Sequence, residues 1–388
     1  METNNTKKAC FFLFVFLLCF FISTRNANAT EKTYFLEFTN EIDQTISRLF
    51  KNDGVIGAAV AFINGDTVRS FYYGYANIEN KKRIKPNTIF QVGSISKSVT
   101  ATGVLKLVEE GKISLDKPVN GYLNNWKLQS SEFDPQKVTI RRLLNHTAGI
   151  SVSWYPGFHP DSVLPTLEES LSGRISEGFL GFFLNKPVRI IQESGLGFRY
   201  SGGGYTILQL LIEDVSGMSF SSFMKAQILS PLKMNSSSFD YPMDHPDELA
   251  IGYSGFFIES PSPNYIYTAK AAAGLYSTLS DLVLYLKTFF GKQYNAVLDS
   301  ETIRLMTTPT IETDDGYFGL GCHIRVLSDG DQLVSHYGKN RGGWNASYSV
   351  LPEKKAGFVF LSNSENGSEL RKEIEDKWIA WLVNQKNG

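Results

Sequence analysis

The chain has 388 residues, of which 42% are hydrophobic, 13% aromatic and 20% charged. This composition is that of a folded protein with a hydrophobic core and excludes an intrinsically disordered chain. The formal net charge is −1, from 38 Lys and Arg against 39 Asp and Glu. A near-neutral chain has no broad basic surface, which argues against nucleic-acid binding. The length predicts one large domain or two ordinary ones.

The N-terminus has the pattern of an export signal. Lys7 and Lys8 precede an apolar run over residues 9–22, and Ala-Asn-Ala at 27–29 provides small residues at a cleavage site. This order predicts a secretory signal peptide over residues 1–29 and a mature chain of 30–388. The alternative is an uncleaved anchor, but the run is shorter than the roughly 20 residues of a spanning helix. We therefore expect a secreted or periplasmic (extracytoplasmic) protein with no membrane span after cleavage.

The three cysteines are divided between the predicted signal peptide and the mature chain. Cys10 and Cys19 lie in the predicted signal peptide, so Cys322 is the one cysteine of the mature chain. No intramolecular disulfide can then form, and the hydrophobic core has to stabilise an exported protein by itself.

In the first part of the mature chain, a helix is followed by a hairpin and a second helix. Apolar residues at helical spacing predict a helix from Tyr34 to Phe50. An Asn-Gly pair at 64–65 lies between the apolar runs Ile56–Ile63 and Thr67–Tyr75, which predicts a β-hairpin. The next apolar run, Ser94–Glu110, predicts a helix that ends at Gly111.

The middle of the chain is predicted to be helical, and strands return after Tyr317. These strands suggest an α+β fold, in which an antiparallel sheet built from N- and C-terminal strands is flanked by helices. An all-helical subdomain over approximately residues 94–300 is inserted in the α/β subdomain, so the mature chain forms one interleaved domain. The further predicted helices are Tyr205–Val215, Phe220–Leu229, Ser280–Phe290 and Glu365–Leu382, and the predicted strands are Gly319–Leu327, Gln332–His336, Ala346–Leu351 and Gly357–Leu361.

Several kinds of chemistry have no support in the residue patterns. The five histidines form neither an H-E-x-x-H nor an H-x-H pattern, and no Cys cluster exists, so we expect no metal site. The chain has no G-x-x-x-x-G-K-[ST] loop, and Gly202–Gly204 follows no apolar parallel strand, so we expect no phosphate-bound cofactor. We predict an enzyme without a cofactor.

The pattern S-x-x-K identifies a candidate nucleophile. It occurs four times, at Ser94, Ser114, Ser222 and Ser230. Ser94 alone follows an extended run and a glycine and opens a helix, where residues i and i+3 share one face. The Lys97 amine can then approach the Ser94 hydroxyl, and burial with the helix N-terminus would lower its pKa until it acts as a base. The alternative is that Ser94 only caps the helix and Lys97 is a surface lysine.

With these residues in place, the sequence resembles the serine β-lactamase and penicillin-binding protein superfamily, in its class C β-lactamase-related branch. That branch includes D-alanyl-D-alanine carboxypeptidases, D-aminopeptidases and esterases. The resemblance covers nearly the whole mature chain and includes the region of Ser94 and Lys97, the loop Leu143–Gly149, the run Phe198–Ser201, the segment Ala273–Thr278 and the triplet His336–Gly338.

The resemblance implies roles for individual residues. Ser94 would be the acylated nucleophile, Lys97 its base partner and Tyr200 the shared general acid and base. The N–H groups of Ser94 and of a residue near Lys339 would bind the oxyanion. Tyr200 as a buried core tyrosine is the alternative to its catalytic role.

The resemblance also implies a substrate-binding strand. His336 and Gly338 would lie on the strand at the edge of the site. Lys339 or Arg341 is predicted to anchor a substrate carboxylate, and the alternative is that both are solvated loop cations.

Two residues depart from the branch's pattern. Gly202 stands where relatives have the Asn of Y-x-N, and His336 stands where they have the Lys of Lys-Thr-Gly. A histidine near its ordinary pKa of about 6.5 is mostly neutral at pH 7, unlike a lysine. Both changes argue against an efficient β-lactamase.

The predicted function is therefore an exported serine hydrolase that acts through an acyl-enzyme on a peptide, amide or ester bond. The alternatives are a true class C-like β-lactamase and a non-catalytic binding or assembly protein on the same fold. The expected partner is a small-molecule or peptide substrate and not a nucleic acid, and the oligomeric state is left open.

Overall fold

The computed structural model describes residues 32–50, 54–129, 132–173, 186–241, 246–255, 260–294 and 297–384. The predicted signal peptide, residues 1–29, lies outside the described residues. The chain divides into two compact units, Met1–Arg48 and Leu49–Gly388. Residues 32–50 form helix α1, as their apolar spacing predicted, and Phe35, Ile42 and Ile46 on it are buried.

The strands of the second unit, in the described residues, are β1 (Gly57–Asn64), β2 (Thr67–Asn77), β3 (Lys82–Arg83), β4 (Phe90–Gln91), β5 (Gly252–Ser254), β6 (Ser260–Ser262), β7 (Tyr276–Ser277), β8 (Ile311–Thr313), β9 (Gly316–Phe318), β10 (His323–Val326), β11 (Gln332–Asn340), β12 (Trp344–Leu351) and β13 (Ala356–Ser362).

Its α-helices are α2 (Ile95–Glu109), α3 (Ile140–Leu144), α4 (Leu167–Leu171), α5 (Gly202–Ser216), α6 (Phe220–Met224), α7 (Lys270–Ala273), α8 (Leu279–Lys287), α9 (Ser300–Met306) and α10 (Gly367–Asn384). A π-helical segment, Lys225–Leu229, continues α6. Short 3₁₀ turns lie at Val119–Gly121, Pro135–Lys137, Thr288–Phe290 and Lys292–Tyr294.

One antiparallel sheet joins the two ends of this unit, as the sequence predicted. Its strand order is β3-β2-β1-β13-β12-β11-β10-β9-β8. The predicted hairpin at Asn64-Gly65 connects β1 and β2, and Gly65 has the positive φ of 56° that this tight turn requires. On its other side β1 pairs with β13, with Val60 opposite Phe360. The C-terminal strands are therefore held against the N-terminal hairpin.

Helices cover both faces of this sheet. Because successive side chains of a strand point to opposite faces, neighbouring residues of β13 contact different helices. A β-carbon on Gly357 would lie 3.3 Å from Leu286 of α8. The next residue, Phe358, stacks on Trp378 of α10 with ring centroids 5.8 Å apart. The predicted C-terminal helix thus packs on the face of the sheet opposite α8.

In the segment between β3 and β8, helices make up most of the regular secondary structure, with α2 among them, and long loops connect them. Helix α2 is buried along most of its length because it lies among α5, α7 and the sheet strands β11 and β12. This segment also contains two short two-stranded sheets, β4 with β7 and β5 with β6. The sequence, which predicted an all-helical subdomain here, did not indicate these sheets. The β4–β7 pair, in which Phe90 lies opposite Ser277, holds the start of α2 beside α7. Within the described residues, no helix has the length and apolar character needed to span a membrane.

Candidate active site

Ser94 lies at the turn from β4 into α2. Gly93 before it has a φ of 53°, a left-handed conformation that glycine adopts readily. Ser94 occupies the N-cap position, but its side chain makes no capping hydrogen bond. Its Oγ instead accepts a hydrogen bond of 2.9 Å from Lys97 Nζ. The structure therefore does not support the alternative in which Ser94 serves only as a helix cap.

Lys97 is a buried amine next to this hydroxyl. Its side chain is 2% exposed, and its Nζ also donates a 2.7 Å hydrogen bond to the carbonyl oxygen of Ala272 on α7. The Nζ lies 4.9 Å from the centre of the Tyr200 ring. Burial disfavours the charged form and lowers the pKa of Lys97 to about 7. A large share of the amine is therefore neutral at pH 7, which a surface lysine would not be.

Tyr200 is the third group at this point. Burial raises the pKa of its phenol above the usual range, and the neighbouring Ser94 hydroxyl opposes this rise. The next residue, Ser201, caps α5 by accepting the N–H of Gly204 at 2.9 Å, and its own N–H donates to His146 Nδ1 at 3.1 Å. The His146 ring packs against the Tyr200 ring with centroids 4.3 Å apart. The contact with His146 thus helps to fix the position of the Tyr200 ring.

Strand β11 passes unusually close to the Ser94 turn. A β-carbon on Gly338 would lie 2.0 Å from the carbonyl oxygen of Val92 and 3.0 Å from the amide nitrogen of Ser94. In the other direction, a β-carbon on Gly93 would lie 2.8 Å from the amide nitrogen of Lys339. Only glycines permit this approach on both sides. It brings the backbone amides of Ser94 and Lys339 to neighbouring positions.

These groups line a cleft of about 480 Å³. Its walls come from α2, α7, β11, β12, the loop before α4 and the start of α10. Ser153, Trp154 and Tyr155 of the loop face it together with Ser94, Lys97 and Tyr200. Gly202 also lines the cleft, and a β-carbon there would lie 3.3 Å from both the carbonyl oxygen of Ser153 and the Tyr155 ring.

The structure places some of the predicted substrate-binding residues in the cleft and others outside it. Gly338 and Lys339 line the cleft, and the Lys339 ammonium pairs with Glu365 at 2.6 Å. Arg341 follows β11 and is not among the described residues that line the cleft. Its guanidinium lies over the Tyr265 ring, 4.3 Å from the centroid.

His336 lies behind the wall of the cleft. It is 1% exposed, and its Nδ1 is 2.8 Å from the carbonyl oxygen of Tyr337. Its ring packs on His323 with centroids 5.4 Å apart. Burial, with His323 and Lys97 nearby, lowers the pKa of His336 well below its ordinary value. The side chain is therefore neutral at pH 7 and supplies no charge to the site.

Two residues of helix α10 line the cleft without having been identified from the sequence. They are Ser368 and Arg371. The Arg371 guanidinium lies 4.4 Å above the Tyr337 ring and forms an ion pair with the buried Glu375. The signal was a serine and an arginine at i, i+3 spacing near the start of the predicted helix, but the sequence does not show which helix face borders the site.

The described residues contain no group of three or more His, Cys, Asp or Glu side chains that could hold a metal ion. The groups gathered around Ser94 are a hydroxyl, an amine, a phenol and backbone amides, and Lys339, Ser368 and Arg371 add further polar groups to the cleft lining.

Known proteins share this chain's sequence pattern and fold. The sequence model of the family described as Beta-lactamase matches residues 42–379. A penicillin-binding protein of Bacillus subtilis (strain 168) is 27% identical over 342 residues, which are 82% of this chain and 70% of that protein. The protein flp of Staphylococcus aureus (strain N315) is 26% identical over 363 residues, covering 90% of this chain and 68% of that protein.

Solved structures of related proteins have a similar fold. The octameric penicillin-binding protein homologue from Pyrococcus abyssi has a TM-score of 0.72 and 31% identity, covering 84% of this chain and 74% of that chain. A class C β-lactamase has a TM-score of 0.70 over 88% of this chain and 96% of its own. Its identity is 20%, so this second likeness shows the fold alone.

Proposed function

Because the chain belongs to the Beta-lactamase family, whose fold and relatives indicate a serine hydrolase, we propose that it is an exported enzyme that cleaves a peptide, amide or ester bond through an acyl-enzyme on Ser94. The observation that carries the proposal is the 2.9 Å hydrogen bond between the Ser94 hydroxyl and the buried Lys97 amine, whose pKa is lowered to about 7. A serine hydroxyl is a weak nucleophile until a neighbouring base accepts its proton, and this amine is both near and partly neutral.

Acylation then follows from the positions of four groups. Lys97 accepts the Ser94 proton while Oγ attacks the substrate carbonyl carbon and the carbonyl electrons move to its oxygen. The amides of Ser94 and Lys339 donate hydrogen bonds to that oxyanion. When the tetrahedral intermediate collapses, the bond to the leaving group breaks, and Tyr200 passes a proton to the departing nitrogen or oxygen. Lys97 returns the proton to Tyr200.

Deacylation uses the same groups in the opposite direction. Tyr200 and Lys97 together accept a proton from water, which attacks the acyl carbon. The bond to Ser94 Oγ breaks, the serine regains its proton, and the acid product leaves.

The cleft favours peptidase or esterase activity over efficient β-lactam hydrolysis. Gly202 supplies no side-chain amide beside Lys97, and a larger residue there would meet Tyr155 and the Ser153 carbonyl within 3.3 Å. His336 supplies no positive charge because it is buried and neutral. A non-catalytic assembly protein would have no need for Ser94, Lys97 and Tyr200 in mutual contact. Export rests on the sequence pattern of residues 1–29.

A substrate screen tests the function. D-Ala-D-Ala peptides, D-amino-acid amides, short esters and nitrocefin are each incubated with the mature protein and with a Ser94→Ala variant. We expect hydrolysis of at least one amide, peptide or ester, slow or no nitrocefin turnover, and none by the variant. Fast nitrocefin turnover would identify a β-lactamase. Failure to hydrolyse any substrate, combined with oligomers on a sizing column, would favour the assembly protein.

The proposal predicts an acid limb in the pH profile. Since only neutral Lys97 accepts the serine proton, and its pKa is about 7, kcat/KM should rise with pH through about 7 and then level off. Below that pH it should fall about tenfold per unit. A neutral short ester avoids titration of the substrate. A profile that stays flat down to pH 5 would contradict a role for Lys97 as the base.

Arg371 is expected to add to the recognition of a carboxylate close to the scissile bond. Arg371→Gln should lower the kcat/KM ratio of a carboxylate substrate to its carboxamide analogue by about tenfold, because a partly buried guanidinium binds carboxylates well. Lys339→Ala and Arg341→Ala, measured alongside, test the prediction made from the sequence. If either of these lowers the ratio while Arg371→Gln does not, the anchor lies on or after β11 and not on α10.

A further inference from the structure

A second groove shares part of its lining with the cleft of Ser94. It encloses about 640 Å³, and Ser153, Trp154 and Tyr200 line both spaces. Tyr200 therefore borders both spaces. A part of a substrate that reaches past Tyr200 from the Ser94 cleft would meet this groove.

The charges on this groove have one sign. Lys186, Arg189 and Arg199 line it, and all three are exposed. Among the described residues that line the groove there is no Asp or Glu. Three cations on one concave surface raise the local concentration of anions and attract a negatively charged group.

The two arginines are carried by backbone that is fixed relative to the catalytic groups. The N–H of Arg189 donates to Ser151 Oγ, and the N–H of Ser151 donates to the Arg189 carbonyl oxygen, each at 2.9 Å. The N–H of Arg199 donates to the carbonyl oxygen of His146 at 2.7 Å. Since His146 also packs on Tyr200, the positions of both guanidinium stems are set by the same loops that form the cleft.

We propose that this groove is a substrate subsite for a carboxylate carried at a distance from the scissile bond, so that the enzyme's substrates are acidic peptides, amides or esters whose charged end passes Tyr200. The proposal rests on the function proposed above and adds the substrate class. This subsite is separate from the carboxylate anchor expected on β11 or α10, because Lys339 and Arg371 line the Ser94 cleft and do not line the groove.

The expected effect is moderate. Exposed ion pairs contribute little individually, and they are screened beyond about 10 Å at 0.1 M salt. Three cations acting on one carboxylate should together raise kcat/KM about tenfold at low salt. This gain should shrink as salt is added, which a preference based on shape would not do.

The test uses matched ester pairs. Mono-p-nitrophenyl esters of dicarboxylic acids of increasing chain length carry the charge on the acyl side, and butyrate esters of phenols with a carboxyalkyl chain carry it on the leaving side. Each is compared with its carboxamide analogue by the ratio of the two kcat/KM values. We expect a ratio near ten for longer chains in one of the two series, with the series showing which end of the substrate enters the groove.

Variants of the groove identify its cations as the cause. Arg189→Gln with Lys186→Gln should remove most of the preference for the carboxylate, and Arg189→Lys should retain most of it. Arg189→Glu should lower the ratio about as far as the double variant, because each change reduces the net charge of the three positions from +3 to +1. Lys85→Gln removes an exposed lysine that lines neither space, and it should leave both the ratio and the basal activity unchanged. Arg199 is not substituted, because it adjoins Tyr200.

The outcomes separate this proposal from the function on which it rests. Hydrolysis of the neutral esters with a ratio near one in both series, or a ratio that Arg189→Glu does not change, would overturn the subsite and leave the hydrolase standing. Failure to hydrolyse or be acylated by any ester would overturn both.

Discussion

Replacing Ser94 with alanine is expected to abolish covalent labelling and to lower hydrolytic activity by at least about 10⁴-fold, because removal of a nucleophile leaves only binding and the oxyanion donors. The mature protein is treated with a fluorophosphonate probe or a fluorescent penicillin, and its intact mass is measured. The unmodified protein should gain the mass of one adduct, and Ser94→Ala should gain none.

A matched control is present in the chain. Ser222 and Lys225 form another S-x-x-K pattern, but the Ser222 hydroxyl lies 2.8 Å from Ser219 Oγ on an exposed part of α6. Ser222→Ala should be labelled like the parent protein. An adduct that persists in Ser94→Ala, or the absence of any adduct with every acyl donor on the folded parent protein, would overturn the proposed mechanism.

Replacing Tyr200 with phenylalanine should lower kcat/KM for an amide by about 10²–10⁴-fold, which is the usual contribution of a positioned proton donor. The effect should be much smaller for a p-nitrophenyl ester, because p-nitrophenolate leaves without needing a proton. The dependence on the leaving group is the diagnostic result, since loss of packing alone would slow both substrates alike. Steady-state kinetics on one acyl group with the two leaving groups measures it.

Tyr285→Phe is the control for this prediction. Tyr285 of α8 is fully buried, and its hydroxyl lies 3.2 Å from Thr102 Oγ1 and not in the cleft. Its variant should affect stability without changing the ratio of amide to ester activity. If Tyr200→Phe slows both substrates equally, Tyr200 is a packing residue and the proton reaches the leaving group by another route.

Local patterns predicted much of the fold because their causes are local. The Asn-Gly pair at 64–65 favours positive φ and determines where β1 turns into β2, so that hairpin was predicted with bounds close to those observed. Helix α2 was predicted from its apolar run and ends within one residue of the expected bounds. The short hairpin of β8 and β9 was missed, because strands of three residues carry too little periodicity to be recognised.

For the candidate site, too, the local features could be predicted from the sequence and the tertiary contacts could not. The Ser94–Lys97 pair could be found because three residues of helix are enough to place the amine beside the hydroxyl. That Lys97 is buried against Ala272, and so has its pKa lowered to about 7, depends on a helix that lies 175 residues away in sequence. The sequence alone could therefore propose the pair but could not exclude a surface lysine.

By itself, the sequence determined the class of fold, the hairpin of β1 and β2, helix α2, and the serine and lysine of the candidate site, since these follow from local turn chemistry and from the spacing of apolar residues. Only the tertiary structure decided which distant groups meet there. It placed Gly338 against Val92, turned His336 inward and brought Arg371 to the cleft. These arrangements depend on strand register and on which helix face packs against the sheet, and both arise from the burial of the whole core, not from any one segment.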